Sequence, residues 1–201
     1  LGLSALAIIS AVTNSNGSVY LALMNSYGDT VDQAAMPLLA INDGPMLTMI
    51  AMGAGGLADI PLMALVAAIG PLLVGMILGN IDKDLSDFLA PAGSILLPFV
   101  GFCLGSGMNL TNIAKGGVQG ILLGLITCLI GGAFIMLCDK FISRRPGYAG
   151  WAVATTAGNA VAVPAVIAAA DATWAPWADI ATSQVAASAI LTAILVPIIT
   201  S

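Results

Sequence analysis

Two clusters of polar residues interrupt apolar stretches of the sequence, at residues 13–18 (TNSNGS) and 155–159 (TTAGN). Their hydroxyl and amide groups suit a polyhydroxylated ligand. The glycines in the clusters, and Pro164 after the second, favour a break in a helix. Broken backbone is tolerated at membrane depth where it lines a protein cavity. We therefore predict a binding site for a small molecule, with the members Thr13, Asn14, Ser15, Asn16, Gly17, Ser18, Thr155, Thr156, Gly158 and Asn159.

The two clusters are predicted to hold an anion without a basic side chain. A broken helix presents the N-terminus of its second half at the break, and helix N-termini carry partial positive charge. No Lys or Arg lies deep in any apolar stretch. The alternative interpretation is that these small polar residues only allow helices to pack closely.

Asp43 is the one carboxylate well inside an apolar stretch, LLAINDGPMLT. An ionisable residue at membrane depth is by default a functional candidate, able to carry a proton or coordinate a cation. We expect Asp43 to be buried and to act in proton coupling, with Asn42 as a neutral ligand in the same cluster. The alternative is that Asp43 caps a helix break beside Gly44 and Pro45 and faces water.

The composition predicts that membrane-crossing helices position these residues. The chain is 59% hydrophobic and 7% charged, whereas soluble domains have about 25% charged residues. It has no His for a metal site or a hydrolytic triad, and no basic stripe for nucleic acid. We predict an all-α membrane protein with seven spans, each near the ~20 residues that a crossing helix needs. The spans are 1–24, 34–57, 61–80, 88–110, 117–138, 149–170 and 180–200.

Charged residues in the connectors predict how the spans are oriented. Four of the five basic residues fall on one side of the membrane, and these are Lys83, Lys140, Arg144 and Arg145. Lys115 alone falls on the other side. The positive-inside rule makes the first side cytoplasmic and places the C-terminus there. The first span then starts outside without an initiator Met, so we expect an upstream portion to be missing.

The order of these features predicts an inverted repeat. Each interrupted span is followed by a connector with Asp residues and then by a span with a Gln near its start, Gln33 or Gln184. The interrupted spans are the first and the sixth, so they run in opposite directions, as inverted-topology repeats require. We therefore predict that each consists of two half-helices and that the two spans cross near Asn16 and Asn159.

Several longer runs of the sequence resemble one known family. They are TNSNGSVYLALMNSYG, NDGPMLTMIAMGAGGLA, PLLVGMILGNIDKDLSDF, LPFVGFCLGSGMNLTNIAKGGVQGILLG and ILVPIITS. In order and spacing they look like the 2-keto-3-deoxygluconate permease family, over essentially the whole chain. The resemblance implies a multi-pass proton symporter of the bacterial inner membrane that imports 2-keto-3-deoxygluconate by alternating access, and not an enzyme.

The resemblance also implies a fold. The family is related to bile-acid/sodium symporters, which have ten helices in two inverted repeats of five, with helices 4 and 9 broken and crossing. This chain resembles helices 4 to 10, and helices 1 to 3 are absent. Residues 1–57 correspond to core helices of the first repeat, 58–110 to panel-type helices of the second, and 111–201 to its remaining helices. The implied transport cycle moves the core against the panel.

The resemblance implies no cofactor and H⁺ as the coupling ion. A sodium-coupled organic-anion symporter stays open as the alternative, because Asn, Thr and backbone carbonyl groups at the breaks could bind Na⁺. The family's acidic residue precedes the Gly-Pro of helix 5, where Asn42 and Asp43 stand in this sequence. The expected partners are the small sugar acid and membrane lipid, not nucleic acid, and a homodimer is an open option.

Overall fold

The computed structural model describes residues 1–106 and 110–201, without the side chains of 93, 94, 97, 98, 100, 101, 103–106 and 110–116. Lys115, which the orientation argument uses, therefore lies outside the described side chains. The described residues form helices and contain no strand. The α-helices are α1 (Ala5–Val12), α2 (Gly17–Tyr27), α3 (Thr30–Ala34), α4 (Met36–Leu39), α5 (Met46–Ala54), α6 (Leu62–Ile81), α7 (Lys83–Ser106), α8 (Leu110–Leu125), α9 (Gly132–Phe141), α10 (Tyr148–Val153), α11 (Val163–Ala170) and α12 (Ala175–Thr200). Short 3₁₀ segments cover Ala40–Asn42, Asn159–Ala162 and Ala172–Trp174, and a π-helical segment covers Ile126–Gly131.

Four helical segments of the described chain are long and apolar enough to cross a membrane. They are Ala5–Tyr27, Leu62–Ile81, Gly117–Phe141 and Ala172–Thr200. The bent pair Thr30–Asn42 and Met46–Ala54 makes a fifth if it counts as one span. These findings confirm an all-helical chain with several apolar helices, as in a membrane protein. The count of seven stays a prediction, because the span 149–170 is made of shorter helices and the span 88–110 includes residues outside the described part.

Both predicted interruptions are present. The first separates α1 from α2, and Asn16 caps α2 by accepting the N–H of Val19 through Oδ1 at 3.1 Å. The second separates α10, which ends at Val153, from the 3₁₀ turn that begins at Asn159 and leads into α11. Short polar side chains compete for backbone groups and favour helix ends over helix interiors. The breaks therefore occur where this chemistry is concentrated.

The second predicted span is also broken, next to Asp43. The helical segments on either side of the break meet at 62°. Gly44 has a φ of 111°, in the left-handed region that glycine adopts without strain. Pro45 has no N–H with which to continue the preceding helix. One continuous helix through the span 34–57 is therefore wrong, and the helix break that was the alternative is present.

The fold is centred on α12. The buried face of this helix carries five side chains with no exposed surface, Ala181, Gln184, Val185, Ser188 and Thr192. α8 packs along α12, and α1, α10 and α11 contact it as well. α6 differs, because none of its residues is buried. The two interrupted segments therefore share one core with α12, and α6 lies at the edge of the molecule.

The close packing of α8 on α12 depends on Gly120. A Cβ atom at Gly120 would lie 2.8 Å from the carbonyl oxygen of Gln184, whereas a Cβ atom at Gly117 would meet nothing within 4 Å. We expect Gly120→Ala to lower the free energy of unfolding by about 1–3 kcal/mol, a typical cost of over-packing. Gly117→Ala on the same helix should leave it nearly unchanged. Thermal unfolding of the purified variants in detergent measures the difference, and equal midpoints would contradict the close contact.

Contacts between connectors agree with the predicted alternation of sides. Arg145 Nη2 lies 2.7 Å from Asp29 Oδ2 and 2.9 Å from Asp32 Oδ1, which joins two connectors predicted to be cytoplasmic. The N–H of Asp59 donates to Asp171 Oδ2 at 2.8 Å, which joins two connectors predicted on the opposite side. Connectors predicted to share a side are thus in contact, while the choice of the cytoplasmic side stays a prediction.

Candidate functional site

The two interruptions lie against each other. The backbone N–H of Asn16 donates to Thr155 Oγ1 at 2.7 Å, and the N–H of Ala157 donates to the carbonyl oxygen of Asn14 at 2.9 Å. Buried backbone groups that a helix break leaves open need hydrogen-bond partners. Each break supplies partners to the other. The two predicted clusters therefore form one polar centre.

Asn14 connects the first break to the break in the second span. Its side chain is completely buried. Nδ2 donates to Ser10 O at 3.0 Å and to Thr48 Oγ1 at 3.2 Å, and Oδ1 accepts the N–H of Gly44 at 2.8 Å. The hydroxyl of Thr13 shares a 2.6 Å hydrogen bond with that of Thr48. Thr13 and Asn14 thus use their polar groups to hold two breaks together.

Thr155 and Thr156 are buried and hold the other break in place. The N–H of Thr156 donates to Thr192 Oγ1 at 2.9 Å, and its hydroxyl shares a 2.8 Å hydrogen bond with Ser188 Oγ. Sequence reasoning did not single out Ser188 and Thr192. Together with Gln184 they recur every four residues on α12, so they share one helix face. In the sequence, this four-residue spacing is the feature that could indicate a shared polar face.

Gln33 and Gln184 make different contacts. The side chain of Gln184 accepts the N–H of Ser4 at 3.1 Å and donates to Gly2 O at 3.0 Å, before the start of α1. The side chain of Gln33 donates to Met24 O at 3.4 Å, in the last turns of α2. The predicted correspondence between the two residues therefore does not extend to their hydrogen bonds.

Apart from the half-buried Thr13 at the end of α1, the accessible members of the predicted set lie where the second half-helices begin. Ser18 and Gly158 are exposed, and Asn16, Gly17 and Asn159 are half-buried. A Cβ atom at Gly158 would meet nothing within 4 Å, so open space lies beside it. A ligand can reach the polar centre at these residues.

Asp43 is exposed, at the bend of the second span. Its expected burial is wrong for this chain, because its extended backbone (φ −88°, ψ 107°) leaves the helix there. Its carboxylate accepts a hydrogen bond from Nδ2 of Asn159. Asn42 and Ser15 exchange side-chain hydrogen bonds of 2.8 and 3.0 Å. Each predicted coupling residue therefore contacts a member of the predicted binding set.

No basic residue lies near either break in the sequence. Residues 1–82 and 146–201 contain neither Lys nor Arg. Helical structure begins at Gly17 after the first break and at Asn159 after the second. An anion at the polar centre would therefore depend on backbone N–H groups and on the partial positive charge of these helix starts.

Interrupted helices that meet at a polar centre, among the apolar helices of the described residues, are typical of one class of multi-pass membrane protein, the secondary transporters. Comparison with protein families identifies the particular family. The chain belongs to the 2-keto-3-deoxygluconate permease family (KdgT), whose family model matches residues 1–201. The family predicted from the sequence is confirmed, and it is a family of permeases, not of enzymes.

Individual relatives agree with the family. Over 200 residues the chain is 51% identical to 2-keto-3-deoxygluconate permease 1 of Salmonella typhimurium, covering 100% of this chain and 63% of the relative. It is 43% identical over 200 residues to the 2-keto-3-deoxygluconate permease of Xanthomonas euvesicatoria, with the same coverage. It is 41% identical over 199 residues to that of Bacillus subtilis, covering 99% of this chain and 60% of the relative. The chain thus spans less than two thirds of their length, and no solved structure matches it.

Proposed function

We propose that this chain forms the substrate- and ion-binding part of a secondary active transporter that imports 2-keto-3-deoxygluconate by proton symport. The observation that carries the proposal is the contact between the two helix breaks, where the N–H of Asn16 meets the hydroxyl of Thr155. Discontinuous helices of this kind form the midplane sites of transporters. The names of the relatives support the choice of substrate.

Both chemical features of a small sugar acid match the polar centre. Its carboxylate suits the backbone N–H groups of Gly17 and Ser18 at the start of α2. Its hydroxyls suit the amide groups of Asn16 and Asn159 and the hydroxyl of Ser18. The buried members of the predicted set, which include Asn14, hold the contacting residues in position.

Proton coupling is assigned to Asp43, with Asn42 beside it. An anion imported alone moves against the inside-negative potential at about 2.3 kcal/mol per 100 mV, and a co-transported proton cancels that charge. The hydrogen bond between Asn159 and Asp43 connects the proposed proton carrier to the proposed substrate site. A carboxylate accepts the amide N–H of Asn159, whereas a protonated Asp43 can donate to the amide oxygen instead. Protonation would therefore change the group that Asn159 offers to the substrate.

Sodium coupling is the second candidate, and one observation favours it. Asn159 Oδ1 is buried and has no hydrogen-bond partner among the described residues, although the same side chain contacts the carboxylate of Asp43. Oxygen atoms of carboxylates and amides are the ligands that hard cations prefer. In that case Asp43 would be a ligand of Na⁺ and not a proton carrier.

The proposed architecture is the inverted repeat that the family resemblance implies. The segments α1–α2 and α10–α11 are its crossing helices, spans 1, 2, 6 and 7 form the core, and spans 3 and 4 belong to the panel. Alternating access moves the core against the panel in the bacterial inner membrane, with the C-terminus cytoplasmic. The lack of buried residues in α6 supports its place outside the core. The contacts between same-side connectors support the alternation of spans.

Substrate affinity tests the assignment of the site. In a permease of the relatives' full length that carries this sequence, we expect Asn16→Ala and Asn159→Ala each to raise the KM for 2-keto-3-deoxygluconate about tenfold, the effect of one lost hydrogen bond. Asn80→Ala is the matched control, because Asn80 is exposed at the end of α6 and bonds the carbonyl of Met76. Uptake by proteoliposomes gives KM, and an unchanged KM in both variants would contradict the site.

The coupling ion is tested in the same proteoliposomes. Accumulation driven by a pH gradient in the absence of Na⁺ would support proton symport. Accumulation driven by a Na⁺ gradient at equal pH would support the second candidate. Failure to take up 2-keto-3-deoxygluconate under either gradient would contradict the proposed function itself.

A further inference from the structure

A group of charged and aromatic side chains forms a hydrogen-bonded cluster outside the polar centre. It consists of Tyr20, Asp29, Asp32, Arg145 and Tyr148, here called the Asp32 cluster. Asp32 is only 3% exposed. Its carboxylate accepts Arg145 Nε at 3.0 Å and the hydroxyl of Tyr148 at 3.2 Å, and its backbone carbonyl accepts the hydroxyl of Tyr20 at 2.8 Å. A buried carboxylate is tolerated only while such partners stay in place.

These contacts hold together the same two half-helices, α2 and α10, that also meet at the polar centre. Tyr20 lies near the start of α2, and Tyr148 is the first residue of α10. Asp32 therefore connects the first turns of α2 to the start of α10. After the end of α10, the hydroxyl of Thr155 accepts the N–H of Asn16, which caps α2, at 2.7 Å. The two half-helices also contact each other directly.

We propose that Asp32 is a positioning residue of the transporter. With Arg145, Tyr20 and Tyr148 it fixes α2 against α10, and so sets the spacing of the two breaks that form the substrate site. The effect on the substrate rests on the proposed function, whereas the effect on the breaks follows from the contacts alone.

Asp29 is the less important carboxylate of the cluster. It lies 2.7 Å from Arg145 Nη2, and the hydrogen bond from Arg145 lowers the pKa of the Asp29 carboxyl. Its side chain is 56% exposed, against 3% for Asp32, and exposed ion pairs contribute little. Removal of Arg145 would instead leave the charge of Asp32 buried without a cation, which is strongly destabilising.

The test measures hydrogen exchange in a permease of the relatives' full length that carries this sequence. In Arg145→Gln we expect exchange at residues 13–18 and 154–158 to rise about tenfold or more, although no member of the cluster lies in either segment. The double variant Arg145→Gln with Asp32→Asn should recover most of the protection, because no buried charge is left unpaired. Asp29→Asn keeps a capping side chain for α3 and should exchange like the wild type.

A milder pair of variants covers the case in which Arg145→Gln does not fold. Tyr148→Phe removes one hydroxyl that contacts Asp32, and Tyr27→Phe removes one from a residue that is 48% exposed. We expect Tyr148→Phe to raise the exchange at both breaks, and to raise KM more than it changes the maximal rate of uptake. Tyr27→Phe should change neither quantity.

The outcomes separate the two proposals. Faster exchange in Tyr148→Phe and Arg145→Gln that is confined to residues 28–36 and 142–148 would overturn the positioning role, because the cluster would then act only locally. A wild type that does not transport 2-keto-3-deoxygluconate, together with faster exchange at the breaks in the variants, would overturn the proposed function and leave the positioning role in place.

Discussion

Asp43→Asn, in a permease of the relatives' full length, is expected to abolish accumulation of 2-keto-3-deoxygluconate driven by a pH gradient. The carbonyl oxygen of asparagine can still accept the hydrogen bond from Asn159, but an amide cannot carry the proton. The substrate would then cross as an uncompensated anion. Against an inside-negative potential of 100 mV, about 2.3 kcal/mol holds it about 50-fold below its external concentration.

Exchange of labelled substrate separates binding from coupling. It needs the site but no net movement of protons, so Asp43→Asn should retain most of it. Asp59→Asn is the matched control, since Asp59 is exposed in the connector before α6, and it should accumulate substrate like the wild type. Normal proton-driven accumulation by Asp43→Asn would remove Asp43 from the mechanism and assign proton coupling to another group.

The helix breaks could be predicted from the sequence because local chemistry decides them. Residues 13–18 and 155–159 bring together Asn, Ser, Thr and Gly, which favour caps and turns within otherwise apolar helices. The break beside Gly44 and Pro45 carries the same kind of signal, although the sequence favours it only as an alternative. Apolar length alone made the second span look continuous.

The surroundings of Asp43 could not be predicted in the same way. Its exposure depends on the backbone angles at one bend, and its partner Asn159 lies 116 residues away in the sequence. Nothing in the pattern LLAINDGPMLT decides which side of a broken helix such a residue faces. The same limit applies to Asp32, because it lies in a connector and only the fold brings Arg145 and Tyr148 to it.

Within the polar cluster at residues 13–18, the sequence does not show which polar side chains are buried. Asn14 and Asn16 are chemically identical and two residues apart, so the sequence predicted both as ligand contacts. The structure buries Asn14 completely and leaves Asn16 half-buried. Neighbours from the second span and the sixth make the difference. We therefore expect substitutions of Asn14 and of Asn16 to have different effects.

Asn14→Ala is expected to destabilise the protein before it affects the substrate. The substitution removes the donor to Ser10 O and Thr48 Oγ1 and leaves the N–H of Gly44 without its acceptor. Buried polar groups left unpaired cost about 1–3 kcal/mol each. A loss of about 3 kcal/mol corresponds to a fall of roughly 6–12 °C in Tm for a chain of this size. Thermal unfolding of the purified protein in detergent measures the change.

Comparison with two other Asn→Ala variants shows whether Asn14 supports the site or belongs to it. Asn80→Ala, at an exposed end of α6, should unfold like the wild type and bind substrate normally. Asn16→Ala should lose affinity with a smaller fall in Tm than Asn14→Ala, because its side chain bonds one backbone N–H of α2. If Asn14→Ala keeps the wild-type Tm and loses affinity, Asn14 contacts the substrate, as the sequence alone predicted. If it loses stability but the folded fraction keeps the wild-type KM for 2-keto-3-deoxygluconate, its role is to hold the breaks in the first and second spans together.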